Sequence, residues 1–378
     1  MPSLSRRWFL GAATLCLAGP ARAATQPAKP KPVVGAALPL TGDLSLVGDE
    51  CWRGIQLAAD AVNAAGGVAG APVALVSADT AGQDQAGAAV NGLIGAQHAG
   101  LILGGGSSAF SYGASAAAEL AQIPYIELDA PADGITARGF KFLLRIGPTT
   151  AMIAAVAASA IQARAAGQKI GFLFNTGATG GAIAAAALAA LNAAKLPPYL
   201  TIGYPEDETD LYNTAGRLKR AGVTLLLHAA GPLDVLGLFE AMAEQDWRPD
   251  TLIGCGDGYA LRESAAAIGP AFDGTLAIAA PGYKAAPAIA DAYMARYGMK
   301  PRAPDSLTAY AGARLVLATL NQEGGDAAKC FAALGQMNLP RGALANGFGV
   351  AFDHTGQNTG SFVTLQRWRG QELMPEPA

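Results

Sequence analysis

From residue 33 onward, short apolar runs alternate with helical stretches in one repeating order. "VVGAALPL" reads as a strand. Trp52, Ile55, Ala59 and Val62 then recur at helical spacing until Gly66-Gly67 ends the helix. "VALVSAD", "LILGGG", "PYIELD" and "KFLLRIG" continue as further strands, with helices predicted over 86–97 and 114–122. Continuously apolar strands separated by helices predict a parallel sheet covered on both faces.

After "RIGPTT" the order restarts. Helix 151–166, strand "KIGFLFN", helix 181–194, strand "YLTIGYP", helix 212–220, strand "VTLLLHAAG", helix 235–245 and strand "TLIGCGDG" make a second unit. Its alanine-dense stretches, "AAVAASAIQARAAG" and "GAIAAAALAALNAA", read as helices lying close to a sheet, because alanine is the best helix former. Beyond "GTLAIAAPGY" a helix pair is predicted over 289–297 and 307–320, and "GVAFDHTGQNTGSFVTLQRW" reads as strands around a turn. The predicted class is α/β with two parallel-sheet units, which a chain of 378 residues accommodates.

The first residues do not belong to this pattern. Ser5, Arg6, Arg7, Trp8, Phe9 and Leu10 lead into a short apolar run and then Ala21-Arg22-Ala23, the layout of a cleaved twin-arginine export signal over 1–23. The run is shorter than the ~20 apolar residues that cross a bilayer. Leu15 before Cys16 argues against lipoprotein cleavage there. An exported, periplasmic protein is expected, with the proline-rich residues 24–32 as a disordered leader. No later segment is long and apolar enough to cross a membrane.

The formal net charge is −3, and removing the signal takes away Arg6, Arg7 and Arg22 without any acid. That balance argues against a nucleic-acid partner, which needs a basic stripe. Beyond the signal the cysteines are Cys51, Cys255 and Cys330. At most one internal bridge is available to them, and three separately buried thiols fit equally well.

The candidate chemistry centres on "LILGGGSSAFSYGAS", residues 101–115. A strand, a glycine turn and a helix start leave free N–H groups and a positive dipole end that favour an anion. Ser107 and Ser108 are the candidate donors. The plain alternative is a tight turn with Ser108 capping the helix. Gly104, Gly106 and Ala109 also satisfy G-x-G-x-x-A, with Glu127 or Asp129 following, as in a dinucleotide site. That fingerprint normally opens the first strand–helix unit, whereas here it follows the third strand. There is no G-x-S-x-G, and His98, His228 and His354 have no placed partner for acyl transfer. No Cys/His spacing resembles a metal set, so neither metal nor cofactor is expected.

"ALPLTGDLSLVGDECWRGIQLAADAVNAAGGVAGAPVALVSAD" resembles the opening of the periplasmic branched-chain amino-acid binding proteins of ABC importers. "RGFKFLLRIGPTT" and "GTLAIAAPGY" are similar to their inter-lobe crossovers, and "FDHTGQNTG" to their late hairpin. The resemblance implies the type I periplasmic binding fold: two Rossmann-like lobes joined by three hinge crossovers, 33–147 plus 278–347 and 148–277 plus 348–378. It implies a monomer that closes on one small organic ligand, an amino acid or a related carboxylate or amide. It does no chemistry on that ligand and hands it to a permease and ATPase complex at the inner membrane. An exported NAD(P)-dependent oxidoreductase and a stand-alone sensing module are the competing readings.

In that family the serine loop holds the ligand carboxylate, which falls here on Ser107 and Ser108, and an acid matching Asp257 in "LIGCGDGY" receives the ligand ammonium. The competing reading of Asp257 is Asp-Gly turn chemistry. In "LDAPADG", Pro131 stands where the family has a second hydroxyl; Ala130 precedes it, and Asp129 is an added acid. Val47, Thr179 and Ala230 fall near places where the family carries aromatic rings. A roomier cavity and a ligand unlike leucine are therefore expected, unless Phe110 and Tyr112 refill the space instead of packing on the sheet.

Overall fold

The computed structural model describes residues 32–376 apart from Thr209; the expected export signal and nearly all of the leader lie outside the described residues. The first unit runs β1 (Val33–Leu38), α1 (Ser45–Ala64), β2 (Ala74–Asp79), α2 (Gln83–Gly95), β3 (Leu101–Gly104), α3 (Ser108–Ala121), β4 (Tyr125–Glu127) and β5 (Leu143–Arg145). Its sheet has the order β2-β1-β3-β4-β5, with every pair parallel.

The chain then builds α4 (Thr150–Gln162), β6 (Ile170–Asn175), α5 (Ala178–Ala193), β7 (Leu200–Tyr204), α6 (Tyr212–Arg220), β8 (Leu225–Ala229), α7 (Pro232–Glu244), β9 (Thr251–Cys255), α8 (Arg262–Ile268) and β10 (Leu276–Ala279). These strands repeat the first order as β7-β6-β8-β9-β10, again parallel. The fold is thus α/β with two lobes of the same winding.

The rest of the chain serves both lobes. After β10 come α9 (Pro287–Tyr297), α10 (Asp305–Gln322), α11 (Ala327–Gly335), β11 (Asn338–Leu339), β12 (Val350–Ala351), β13 (Thr364–Arg369) and β14 (Glu372–Pro375). Helix α10 returns to the first lobe, where Ala309, Ala313, Val316 and Leu317 join Ile55, Leu103 and Ile126 in one buried cluster. Each fully buried leucine or valine of this kind contributes about 1.5–3 kcal/mol relative to exposure. Residues 352–361 stay with the first lobe as well. The Arg145 N–H donates to the Gly356 carbonyl (2.8 Å) and the Asn358 N–H to the Arg145 carbonyl (2.9 Å). The chain rejoins the second sheet with β13, antiparallel to β10, and β14 covers the edge.

Helices α8 and α11, the β11–β12 hairpin and β14 are the elements the hydrophobic pattern does not announce. They are short, and α11 is fixed by its Asp326 cap, whose side chain accepts from the Lys329 N–H at 3.0 Å. Cys51, Cys255 and Cys330 are all free and buried.

Candidate functional site

In a parallel sheet the crevice forms beyond the carboxyl ends of the strands, where the winding reverses. In the first lobe β3 ends at Gly104, and the turn runs through Gly106 at φ +78°. A Cβ there would meet Pro39 Cδ at 2.8 Å, so the left-handed backbone and the close approach both require glycine. Ser107 is the N-cap of α3, its hydroxyl accepting from the Phe110 N–H at 3.5 Å. Ser108 is fully buried and accepts from the Ala132 N–H at 3.2 Å.

The anion at this helix start belongs to the protein. Asp129, just past β4, places Oδ1 2.6 Å from the Gly106 N–H, and the Cys51 thiol donates to Oδ2. The loop carrying it is clamped from both sides. Buried Glu127 accepts from the Ala130 N–H (2.9 Å), the Asp129 N–H (3.2 Å) and the Ser111 hydroxyl (2.5 Å). Buried Arg145 donates to the carbonyls of Ala130 (3.1 Å) and Ala132 (2.6 Å) and to Gln357 (2.5 Å). Acid holds the N–H groups and guanidinium holds the carbonyls.

In the second lobe β9 ends at Cys255, and Gly256 at φ +95° turns the chain into the Asp257–Tyr259 turn. A Cβ on Gly256 would lie 2.5 Å from the Ala230 carbonyl oxygen. Behind Asp257, the Tyr259 hydroxyl meets His228 Nδ1 at 2.6 Å and the Tyr204 hydroxyl meets His228 Nε2 at 2.8 Å. Burial pushes the His228 pKa down to about 3, so the imidazole is neutral. It packs inside the second lobe and does not line the crevice.

Asp129 and Asp257 face one small cavity, with about 50 Å³ open to a water-sized molecule. Pro131 lines it too, and the first turn of α10 adds Pro304, Asp305 and Thr308. Oxygens of Asp129 and Asp305 and the Cys51 sulfur lie within 4.8 Å of one another. Each acid is partly accessible, toward the cavity, and otherwise surrounded by protein. Burial, then the nearby Glu127 charge, pushes the Asp129 pKa up to about 7. Burial raises Asp257 to about 6. It holds Asp305 well above the usual carboxylate range, helped by the charges of Asp257 and Asp129. The Cys51 thiol is raised in the same way and stays protonated. Acids this close cannot all ionise without a compensating positive charge.

Of the residues expected at the site, Asp129, Pro131 and Asp257 line the cavity. Ser107, Ser108 and Ala130 lie behind it in the hydrogen bonds that shape its wall. Val47 is buried along the core face of α1, and Thr179 sits in the first turn of α5, the helix that meets α3 across the lobes. No aromatic ring is among the described lining residues; Phe110 and Tyr112 pack against the first lobe's core. Asp305 and Thr308 escape a sequence reading because "PDSLT" looks like any helix start. The dinucleotide reading fails on charge. A pyrophosphate approaching Gly106 would meet the Asp129 carboxylate.

A family model described as periplasmic binding protein matches residues 32–371. The Leu/Ile/Val-binding protein homolog 8 of Brucella abortus (strain 2308) is 32% identical over 357 residues, covering 90% of this chain and 89% of that protein. Among solved structures, a leucine binding protein from Thermotoga maritima superposes with a TM-score of 0.81 at 19% identity, over 92% of this chain and 98% of the other. A solute binding protein of an ABC transporter from R. palustris, in complex with benzoate, superposes with a TM-score of 0.79 at 19% identity, over 92% and 95% of the two chains.

Proposed function

The chain belongs to the periplasmic binding protein family, and on that premise we propose that it captures one small organic molecule between its lobes for an ABC importer. The observation that carries this reading is the convergence of Asp129 and Asp257, one from each lobe, on a single cavity. The lobes act as a clamp, and ligand contacts present only in the closed state drive closure. Charges bridge the clamp: Arg302 Nε pairs with Glu263 of α8 at 2.7 Å while its other side meets Asp49 of α1, and Glu372 of β14 receives Lys284 (2.8 Å) and Lys300.

The protein works in the periplasm as a monomer after twin-arginine export and loss of residues 1–23, and docks on a permease and ATPase complex that takes the ligand. It does no chemistry on that ligand. Both nitrogens of His228 are engaged by tyrosines away from the cavity, which supports this assignment. Thermal-shift screening of the mature protein against amines, amino acids, amides, aromatic acids and nicotinamide cofactors tests the reading. Stabilisation by one class of small solute, lost in Asp257→Ala, is expected. Stabilisation by NAD(P) alone, or by nothing, contradicts it.

A further inference from the structure

We propose that the cleft selects a small organic cation, an ammonium or amidinium group on a short apolar stem, and offers no seat to a ligand carboxylate. This rests on the solute-capture reading above and specifies its ligand. Of the loop's donors, the Gly106 N–H is taken by Asp129 at 2.6 Å, and Ser107 and Ser108 do not line the cavity. A second anion there would be repelled by Asp129 and, from the other walls, by Asp257 and Asp305.

Independently of the acids, Thr308 offers a hydroxyl that no protein group engages. Its side chain is buried at 1% exposure and lines the cavity, yet its hydroxyl has no hydrogen-bond partner. A buried polar group without a partner is costly, so a ligand N–H that fills the role is favoured. Charge-assisted hydrogen bonds from a cation to Asp129, Asp257 and Asp305 would satisfy the acids at the same time.

The walls narrow the choice. Pro131, Ile153 and Val363 line the same cavity and suit carbon rather than bare metal.

The test is calorimetric titration of the intact mature protein with methylammonium, n-propylammonium and guanidinium chlorides. Leucine, propionate, benzoate, acetamide, urea, Mg²⁺, Ca²⁺ and Zn²⁺ are run in parallel. The tightest binder should be one of the organic cations, and Asp305→Asn should weaken it about tenfold or more. Thr308→Val should weaken it several-fold while raising the melting temperature of the ligand-free protein, a pairing that misfolding cannot produce. Tightest binding of a carboxylate or a neutral amide overturns the proposal and leaves solute capture standing, whereas tightest binding of a metal ion overturns both. Unchanged cation affinity in Thr308→Val overturns the proposal alone. If no solute of any class binds, both readings fall.

Discussion

The two lobes share one winding and place an acid at the same point, two residues beyond the end of the fourth strand: Asp129 after β4 and Asp257 after β9. They support those acids by different physics. In the first lobe the strand ends in buried Glu127, and the loop hangs between that carboxylate and the Arg145 guanidinium. In the second it ends in Cys255, and the turn leans on a buried box of Tyr204, His228, Tyr259 and Trp368, whose indole donates to the Tyr259 carbonyl at 2.7 Å.

The helix starts after the third strands differ in the same sense. Asp234 of α7 accepts from the Gly231 N–H at 2.7 Å, so the second lobe caps its helix within itself. The equivalent donor in the first lobe, Gly106, waits for a carboxylate 23 residues further on that also faces the ligand cavity. The first lobe thus ties its helix start to a carboxylate that also lines the cavity, and the second does not.

The largest expected effect comes from breaking the charged support. Arg145→Met leaves the Ala130 and Ala132 carbonyls and Gln357 without their buried donor and takes away a positive charge near Glu127, and should cost about 3–5 kcal/mol in denaturant unfolding while abolishing binding. Tyr259→Phe leaves His228 Nδ1 unpaired and should cost only about 1–3 kcal/mol, with cation affinity changed less than about threefold. If binding suffers equally in both variants, the contrast between the lobes is wrong.

A smaller effect is expected from pH. In the folded protein Asp129 titrates near 7 and Asp257 near 6, above their unfolded values, and Asp305 is raised as well. A raised carboxyl holds its proton better when folded, so its stabilising contribution is present at low pH and disappears as pH climbs through the folded pKa. The groups facing one another here are Asp129, Asp257, Asp305, Cys51, Glu127 and Glu50. The ligand-free protein should melt about 5–10 °C higher at pH 5.5 than at pH 8, the size of shift that ~3 kcal/mol from Asp129 and Asp257 together gives in a large domain. Asp129→Asn should flatten that slope; a melting point that rises with pH would count against the raised acids.

Smallest is the effect of the bridges across the clamp. Lys284 and Lys300 hold the Glu372 pKa down to about 2. The pairs are partly exposed, so Glu372→Gln should speed cation release by less than about threefold and lose even that at high salt. Stopped-flow dissociation reads this directly.

Much of the scaffold was legible because its signals are local. Apolar runs mark the strands, and Val47, Cys51, Ile55, Ala59 and Val62 trace the buried face of α1. The same stripe explains why Val47 packs inward. Asp129 and Asp257 were legible as acids beyond apolar strands. Asp305 and Thr308 were not, since only the return of α10 onto α1 brings them to the cavity. Nor could "GGGSS" reveal which anion fills its turn: the helix start is written locally, but its partner comes from another loop.

The most direct test is the affinity of the intact mature protein for n-propylammonium and guanidinium, measured by calorimetry at pH 5.5 and pH 8. Cations need the acids ionised, so affinity should be about tenfold or more higher at pH 8, with protons released on binding near pH 6.5. Affinity that is flat or falls with pH would contradict a cleft built around Asp129, Asp257 and Asp305.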